Sequence, residues 1–193
     1  LYYEVHGTGP AVVFVHGVGG NHAAWFQQLP VFSQSYSVVT YDQRGFGLTT
    51  DPEGLGRNAF VSDLAALLDH LDLRKVALVG QSMGGGSCVG FAAAYPDRVA
   101  ALVLSDTVQG FEEFPELAQI MIAARAAADA LPQIERVLSA ATRENQPALC
   151  ALYSQIASFN AVDRRSLPGR FSPLIAPEAL AAKRVPVLFI VGQ

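Results

Sequence analysis

The hydrophobic pattern switches between two periods along the first half of the chain. Residues 1–6 alternate apolar and polar and predict a strand before the turn "GTGP". "AVVFVHG" (11–17), "YSVVTYD" (36–42), "KVALVG" (75–80) and "VAALVLSD" (99–106) are short β-branched and aromatic runs that predict buried strands. Helical segments lie between them. A short helix follows the loop "VGGNH", with Pro30 near its end. Residues 58–71 carry Phe60, Leu64, Leu67, Leu68 and Leu71 at helical spacing, with Asn58 as a cap. Residues 83–95 predict a helix of very small residues, with Pro96 just past its end. Apolar strands alternating with helices predict an α/β fold, a parallel sheet covered on both faces.

The pattern then changes. From Thr107 to Lys183 there is no strand signal, and Ala- and Leu-rich stretches at helical spacing dominate, punctuated by prolines. The strand pattern returns at Pro186–Val191. Three segments follow: 1–106 as the first part of an α/β core, 107–183 as a helical insert, and 184–193 as a strand returning to the core.

Composition narrows the functional classes. Hydrophobic residues make up 51% of the 193, enough for a large core, and charged residues only 16%. The formal net charge is −4 and no basic stripe is present, which argues against nucleic acid or an anionic membrane as partner. Apolar runs stop well short of the roughly 18 residues that a membrane span needs. Cys88 and Cys150 have no metal-ligand spacing and read as free buried thiols, which suits a reducing, cytoplasmic setting. No metal or cofactor is expected. Oligomeric state is left open.

Candidate chemistry sits in the glycine-rich turns. "GQSMGGGS" lacks the Lys of a phosphate-binding P-loop, and "HGVGGNH" and "RGFGLTT" lack the last Gly of a dinucleotide fingerprint. "GQSMG" instead follows a strand and opens a helix, the context in which a G-x-S-x-G serine is a nucleophile. Gly80 and Gly84 keep the turn small around Ser82. An oxyanion needs two donors. The N–H of Met83, just after the serine, is one candidate, and the N–H of Val18, just after "HG", is the other.

"FVHGVGG", "YDQRGFG", "VGQSMGGG" and "YPDRVAALVLSD", in that order, resemble the α/β-hydrolase superfamily, and the resemblance covers the whole chain. Its D-x-R-G-x-G loop matches Asp42, Arg44, Gly45 and Gly47, with Leu48 where members often carry Ser. The resemblance implies a serine hydrolase with a helical cap, similar to carboxylesterases, enol-lactone hydrolases and carbon–carbon bond hydrolases. Ser82 maps to the nucleophile. Asp at the elbow, typical of haloalkane dehalogenases and epoxide hydrolases, is absent. Acyl transfer, perhydrolysis or lyase chemistry on the same fold, and a non-catalytic binding protein, are the alternatives.

In this fold the acid and the histidine follow the serine along the chain. All four histidines here, His6, His16, His22 and His70, precede Ser82. The resemblance places the acid after the strand at 186–191, beyond Gln193; Asp106, ending the preceding strand, is the alternative within this chain, since some relatives place the acid there. Asp42 reads as a structural partner of Arg44. The chain starts inside a strand pattern and stops where a loop should begin, so a fragment truncated at both ends is expected, with the general base beyond Gln193. This segment alone is expected not to turn over esters, and its last strand to be an aggregation-prone edge. The expected substrate is a small organic ester, lactone or ketone, lined by cap residues such as Phe111, Phe114, Phe159 and Phe171. Trp25 is expected to pack beside the "HG" loop.

Overall fold

The computed structural model describes residues 1–113 and 115–192. Six strands form one sheet in the order β1-β3-β2-β4-β5-β6. They are β1 (Tyr3–His6), β2 (Ala11–Val15), β3 (Ser37–Tyr41), β4 (Val76–Gln81), β5 (Val99–Ser105) and β6 (Val187–Ile190). All neighbours are parallel except β1, which runs antiparallel to β3. That pairing explains why β1 alone alternates in polarity. It is an edge strand, with Val5 exposed and Tyr3, Glu4 and His6 part-buried.

The strand period of two divides the core. Val13, Val15, Val39, Tyr41, Leu78, Leu102 and Leu104 face one way. They pack under α2 (Phe60–His70), α3 (Met83–Ala94) and α8 (Pro177–Ala181). Val12, Phe14 and Val38 face the other way, against Trp25 and Leu29. Trp25 packs on Phe14, with ring centroids 4.8 Å apart and planes tilted by 50°. Pro30 starts α1 (Leu29–Phe32) instead of ending a helix, which fits its lack of an N–H. Asn58 does not cap α2. It lies in a 3-10 turn, Gly56–Asn58, and its Oδ1 accepts from Arg170 N at 3.2 Å. Between β5 and β6 the chain forms α4 (Pro115–Asp129), α5 (Gln133–Val137), α6 (Ala140–Asn145) and α7 (Pro147–Ser158). Residues 159–176, between α7 and α8, are non-helical, and Ile175 there forms an isolated bridge with Phe111, so the stretch expected to be helical is only partly so.

The loops at the carboxyl edge of the sheet are locked by buried polar groups. His16 Nδ1 donates to the Gly17 carbonyl at 2.9 Å, and its Nε2 accepts from Gln43 N at 3.0 Å. Gln43 Nε2 donates back to the His16 carbonyl at 2.9 Å, and Ser87 Oγ on α3 donates to Gln43 Oε1 at 2.6 Å. So one glutamine ties the loops after β2 and β3 to the central helix. This arrangement requires neutral His16. Burial pulls its pKa down to about 4, against the opposing pull of the Gly17 carbonyl and of Asp42.

Asp42 is not the partner of Arg44. Its Oδ1 accepts from His22 N at 2.6 Å and from His22 Nδ1 at 2.8 Å, and its Oδ2 from Leu48 N at 2.8 Å. Leu48 serves this loop through its main chain while its side chain is 68% exposed, so the loss of Ser there leaves the Asp42 contact intact. Arg44 instead forms a fork on Asp63 of α2, at 2.6 and 2.9 Å.

The other end of the sheet is bare. Val187, Leu188, Phe189 and Ile190 of β6 are each between 39% and 56% exposed. Among the described residues, β6 pairs only with β5.

Two outcomes are predicted. An apolar open edge templates association, so Leu188→Lys should raise the monomeric fraction of the 193-residue chain in size-exclusion chromatography. An unchanged fraction would clear this edge. Because the folded pKa of His16 is depressed, its contribution to stability is fully present above the unfolded value near 6.5. It is lost as pH falls toward 4. Denaturant titrations should show a loss on the order of 3 kcal/mol over that window from this residue. His16→Gln should flatten the slope, and an unchanged slope would contradict the assignment.

Candidate active site

The turn between β4 and α3 is tight because its neighbours lack side chains. Ser82 adopts φ 49 and ψ −116, a strained conformation for a residue with a Cβ. A Cβ on Gly84 would collide with the Val15 carbonyl, and one on Gly80 would stand 2.7 Å from Gly85 Cα. The helix can therefore start directly above the ends of β2 and β4. Three hydrogen bonds hold the serine backbone. Ser82 N donates to the Ser105 carbonyl at 3.0 Å. The Ser82 carbonyl accepts from Gly85 N at 2.9 Å and from Thr107 Oγ1 at 2.7 Å. Its Oγ has no hydrogen-bond partner among the described residues, and Ser82 itself is part-exposed.

Met83 and Val18 lie together. Met83 is buried in an apolar cluster with Phe46, Phe60 and Leu167, and Val18, Val162 and Phe171 pack against the same cluster. The loop after β2 is thus anchored beside the first turn of α3, where unpaired N–H groups and the helix dipole favour negative charge. A Cβ on Gly17 would press on Gln81 Oε1, the end of a flexible side chain.

Asp106 ends β5 next to Ser105 and also has a positive φ, 45°. Its N–H donates to the Ile190 carbonyl at 2.8 Å, and its Oδ1 accepts from Gly192 N at 2.8 Å. It is exposed, at the same sheet edge as Ser82. The four histidines are engaged elsewhere. His6 contacts Glu4, His22 contacts Asp42, His70 contacts Tyr3, and both nitrogens of His16 are used within the loop lock.

The helical insert is tied to this edge by polar side chains that carry no sequence signature. Asn160, just after α7, donates to the Gly20 carbonyl at 3.2 Å and accepts from Gly47 N at 3.0 Å. Asn21 Nδ2 donates to the Ile156 carbonyl at 2.9 Å. Gln133 Nε2 donates to the Val18 carbonyl at 3.3 Å and to Tyr153 Oη at 3.1 Å. Asparagine and glutamine are common enough that only the fold reveals these contacts.

Phe111, expected to line a substrate pocket, packs partly buried against the main core. Its backbone bridges to Ile175, and it is not among the residues packed on the Met83 cluster. Phe171 lies over Gly86 and touches the Met83 cluster, Phe159 is 73% exposed, and Phe114 lies outside the described residues. Cys88 and Cys150 are free and buried. Among the described residues no cluster of His, Cys, Asp or Glu is suited to a metal, and no helix is long and apolar enough to cross a membrane.

This geometry meets known proteins in several ways. A putative non-heme chloroperoxidase of Synechocystis is 39% identical over 114 residues, which is 58% of this chain and 41% of that protein. A 2-hydroxy-6-oxo-2,4-heptadienoate hydrolase of Pseudomonas putida is 41% identical over 107 residues, 53% of this chain and 39% of that one. The matches thus span about two fifths of these curated relatives. Among solved structures, an esterase from Thermogutta terrifontis superposes with a TM-score of 0.71 at 27% identity, covering 99% of this chain and 84% of its own. The family model for the alpha/beta hydrolase fold matches residues 10–173. With that match, the mostly parallel sheet and the strand–serine–helix turn, the chain belongs to the α/β-hydrolase family.

Proposed function

We propose that this protein hydrolyses an ester, lactone or related carbonyl bond of a small organic molecule through an acyl-enzyme on Ser82. The observation that carries this is the strained Ser82 backbone, φ 49, with a free Oγ above the sheet edge. Strain of about 1–3 kcal/mol persists where the surroundings over-determine it, and such places cluster at active sites.

In this reading Ser82 Oγ attacks the carbonyl carbon and gives its proton to a general base. The carbonyl oxygen becomes an oxyanion that accepts from Met83 N–H and Val18 N–H. Collapse of the tetrahedral species expels the leaving group, which takes the proton. Water then attacks the acyl carbon, the acid departs, and Ser82 regains its hydrogen. The positive N-terminal end of α3 favours the oxyanion in both half-reactions. Asp106 stands at the same edge as a candidate to orient the base. In this reading the base is a group other than the four histidines of this chain, none of which hydrogen-bonds to Ser82. Although α8 of the 107–183 segment packs on the core with α2 and α3, helices α4–α7 form the cap. It is held over the site by Asn160 and Gln133.

In the full-length protein, Ser82→Ala should lower kcat on p-nitrophenyl esters by about 10⁶ and abolish labelling by a fluorophosphonate. The 193-residue chain alone should show the same low turnover. Labelling that survives Ser82→Ala would remove the nucleophile. Full turnover by the short chain would remove the argument about the base.

A further inference from the structure

A cavity of about 400 Å³ opens directly on Val18 and Gly19. Its other walls come from residues 130–136 and 157–165 of the helical insert. Three arginines line it, Arg136, Arg164 and Arg165, with one carboxylate, Asp163.

Their partners differ. Arg164 is paired with Asp129 at 2.5 Å, and Arg165 Nη2 donates to the Asp129 carbonyl at 2.9 Å. Asp163 is turned into its own loop, where Oδ1 accepts from Arg165 N, Ser166 N and Ser166 Oγ. Arg136 stands apart. Its Nη1 donates to Gln133 Oε1 at 3.0 Å, and no carboxylate lies within ion-pair distance of it among the described residues. Its Nε is buried without an acceptor. Arg143 and Arg164 also have buried Nε atoms, but each guanidinium faces a carboxylate, Glu135 or Asp129. A guanidinium has five donors in a planar fork that matches a carboxylate. Leaving such donors unmade in a partly buried site is costly, and a bound anion offsets that cost.

Arg136 is also wired to the reacting edge. Gln133 accepts from Arg136 and donates to the Val18 carbonyl. One side chain thus separates the uncompensated cation from the peptide next to the proposed oxyanion donor.

We propose that this cavity is the acyl-side subsite and that Arg136 binds a carboxylate of the substrate, so that the preferred substrates are acid-bearing esters or lactones. Their carboxylate lies a few carbons from the scissile carbonyl. This rests on the reading of Ser82 and Val18 given above. Neutral esters of the same shape leave Arg136 without an acceptor and bind less well.

The test is made in full-length protein carrying Ser82→Ala, so that binding is read without chemistry. Calorimetry compares monomethyl glutarate, an anion, with dimethyl glutarate, its neutral analogue. A hydrogen bond to a charged group should make the anion bind about tenfold tighter or more. Adding Arg136→Gln should erase the difference, and Arg136→Lys should keep part of it. A circular dichroism melt checks that each variant folds. If Arg136→Gln does not fold, the Arg136→Lys protein in rising salt decides, since the preference must then shrink with ionic strength. Equal binding of both ligands, binding of neither, or a preference that survives Arg136→Gln overturns the proposal. Fluorophosphonate labelling of the parent protein is read separately. Its failure would sink the nucleophile while leaving the anion preference to stand or fall by itself.

Discussion

The Cα of Gly84 rests against the carbonyl of Val15, and the rest of the site depends on that contact. It lets α3 begin on top of β2, with no side chain to hold the two apart. Only then can the chain turn at Ser82 within one residue, at φ 49, and still bond to Ser105 and Gly85. The same closeness brings the loop after β2 beside Met83. The small residues that make α3 unremarkable as an amphipathic helix are thus what allows it to be central. Its buried residues include Gly84, Gly85, Gly86, Ser87 and Cys88 in succession. A helix buried all round needs no polar face.

A second layer of polar contacts fixes the loops around this turn. Gln43 holds His16 from both sides and reaches Ser87 on α3. Asp42 gathers His22 and Leu48. Asn160 carries the constraint into the helical insert, bonding to both Gly20 and Gly47. The amides of Gln43 and Asn160 and the carboxylate of Asp42 share this joining. A satisfied buried network favours one arrangement because every alternative leaves a polar group unpaired.

Much of the fold was legible in the sequence because β-branched runs and helical spacing are local signals. Every strand appears within a residue or two of its pattern. The Ser82 turn was legible for the same reason, since strand, glycine spacing and helix are all contiguous. Partner choice was not. Asp42 and Arg44 sit two apart, yet each bonds to a residue about twenty positions away, His22 or Asp63. Asn58 has a cap's chemistry but a 3-10 turn's backbone, so its oxygen serves Arg170. Phe111 has the side chain of a pocket wall, but its main chain is tied to Ile175. In the Ala-rich insert, nothing in the pattern separates Gln133, Asn160 or Arg136 from a solvated surface. Their roles exist only once the insert is folded against the sheet.

The central claim is that Ser82, Met83 and Val18 act on one reacting group. The most direct measurement is a crystal structure of the protein after reaction with a phosphonate ester. The account predicts phosphorus bonded to Ser82 Oγ, with a phosphonyl oxygen about 2.7–3.1 Å from both Met83 N and Val18 N. An unmodified Ser82, or an adduct whose oxygen points to solvent and away from both amides, would contradict it.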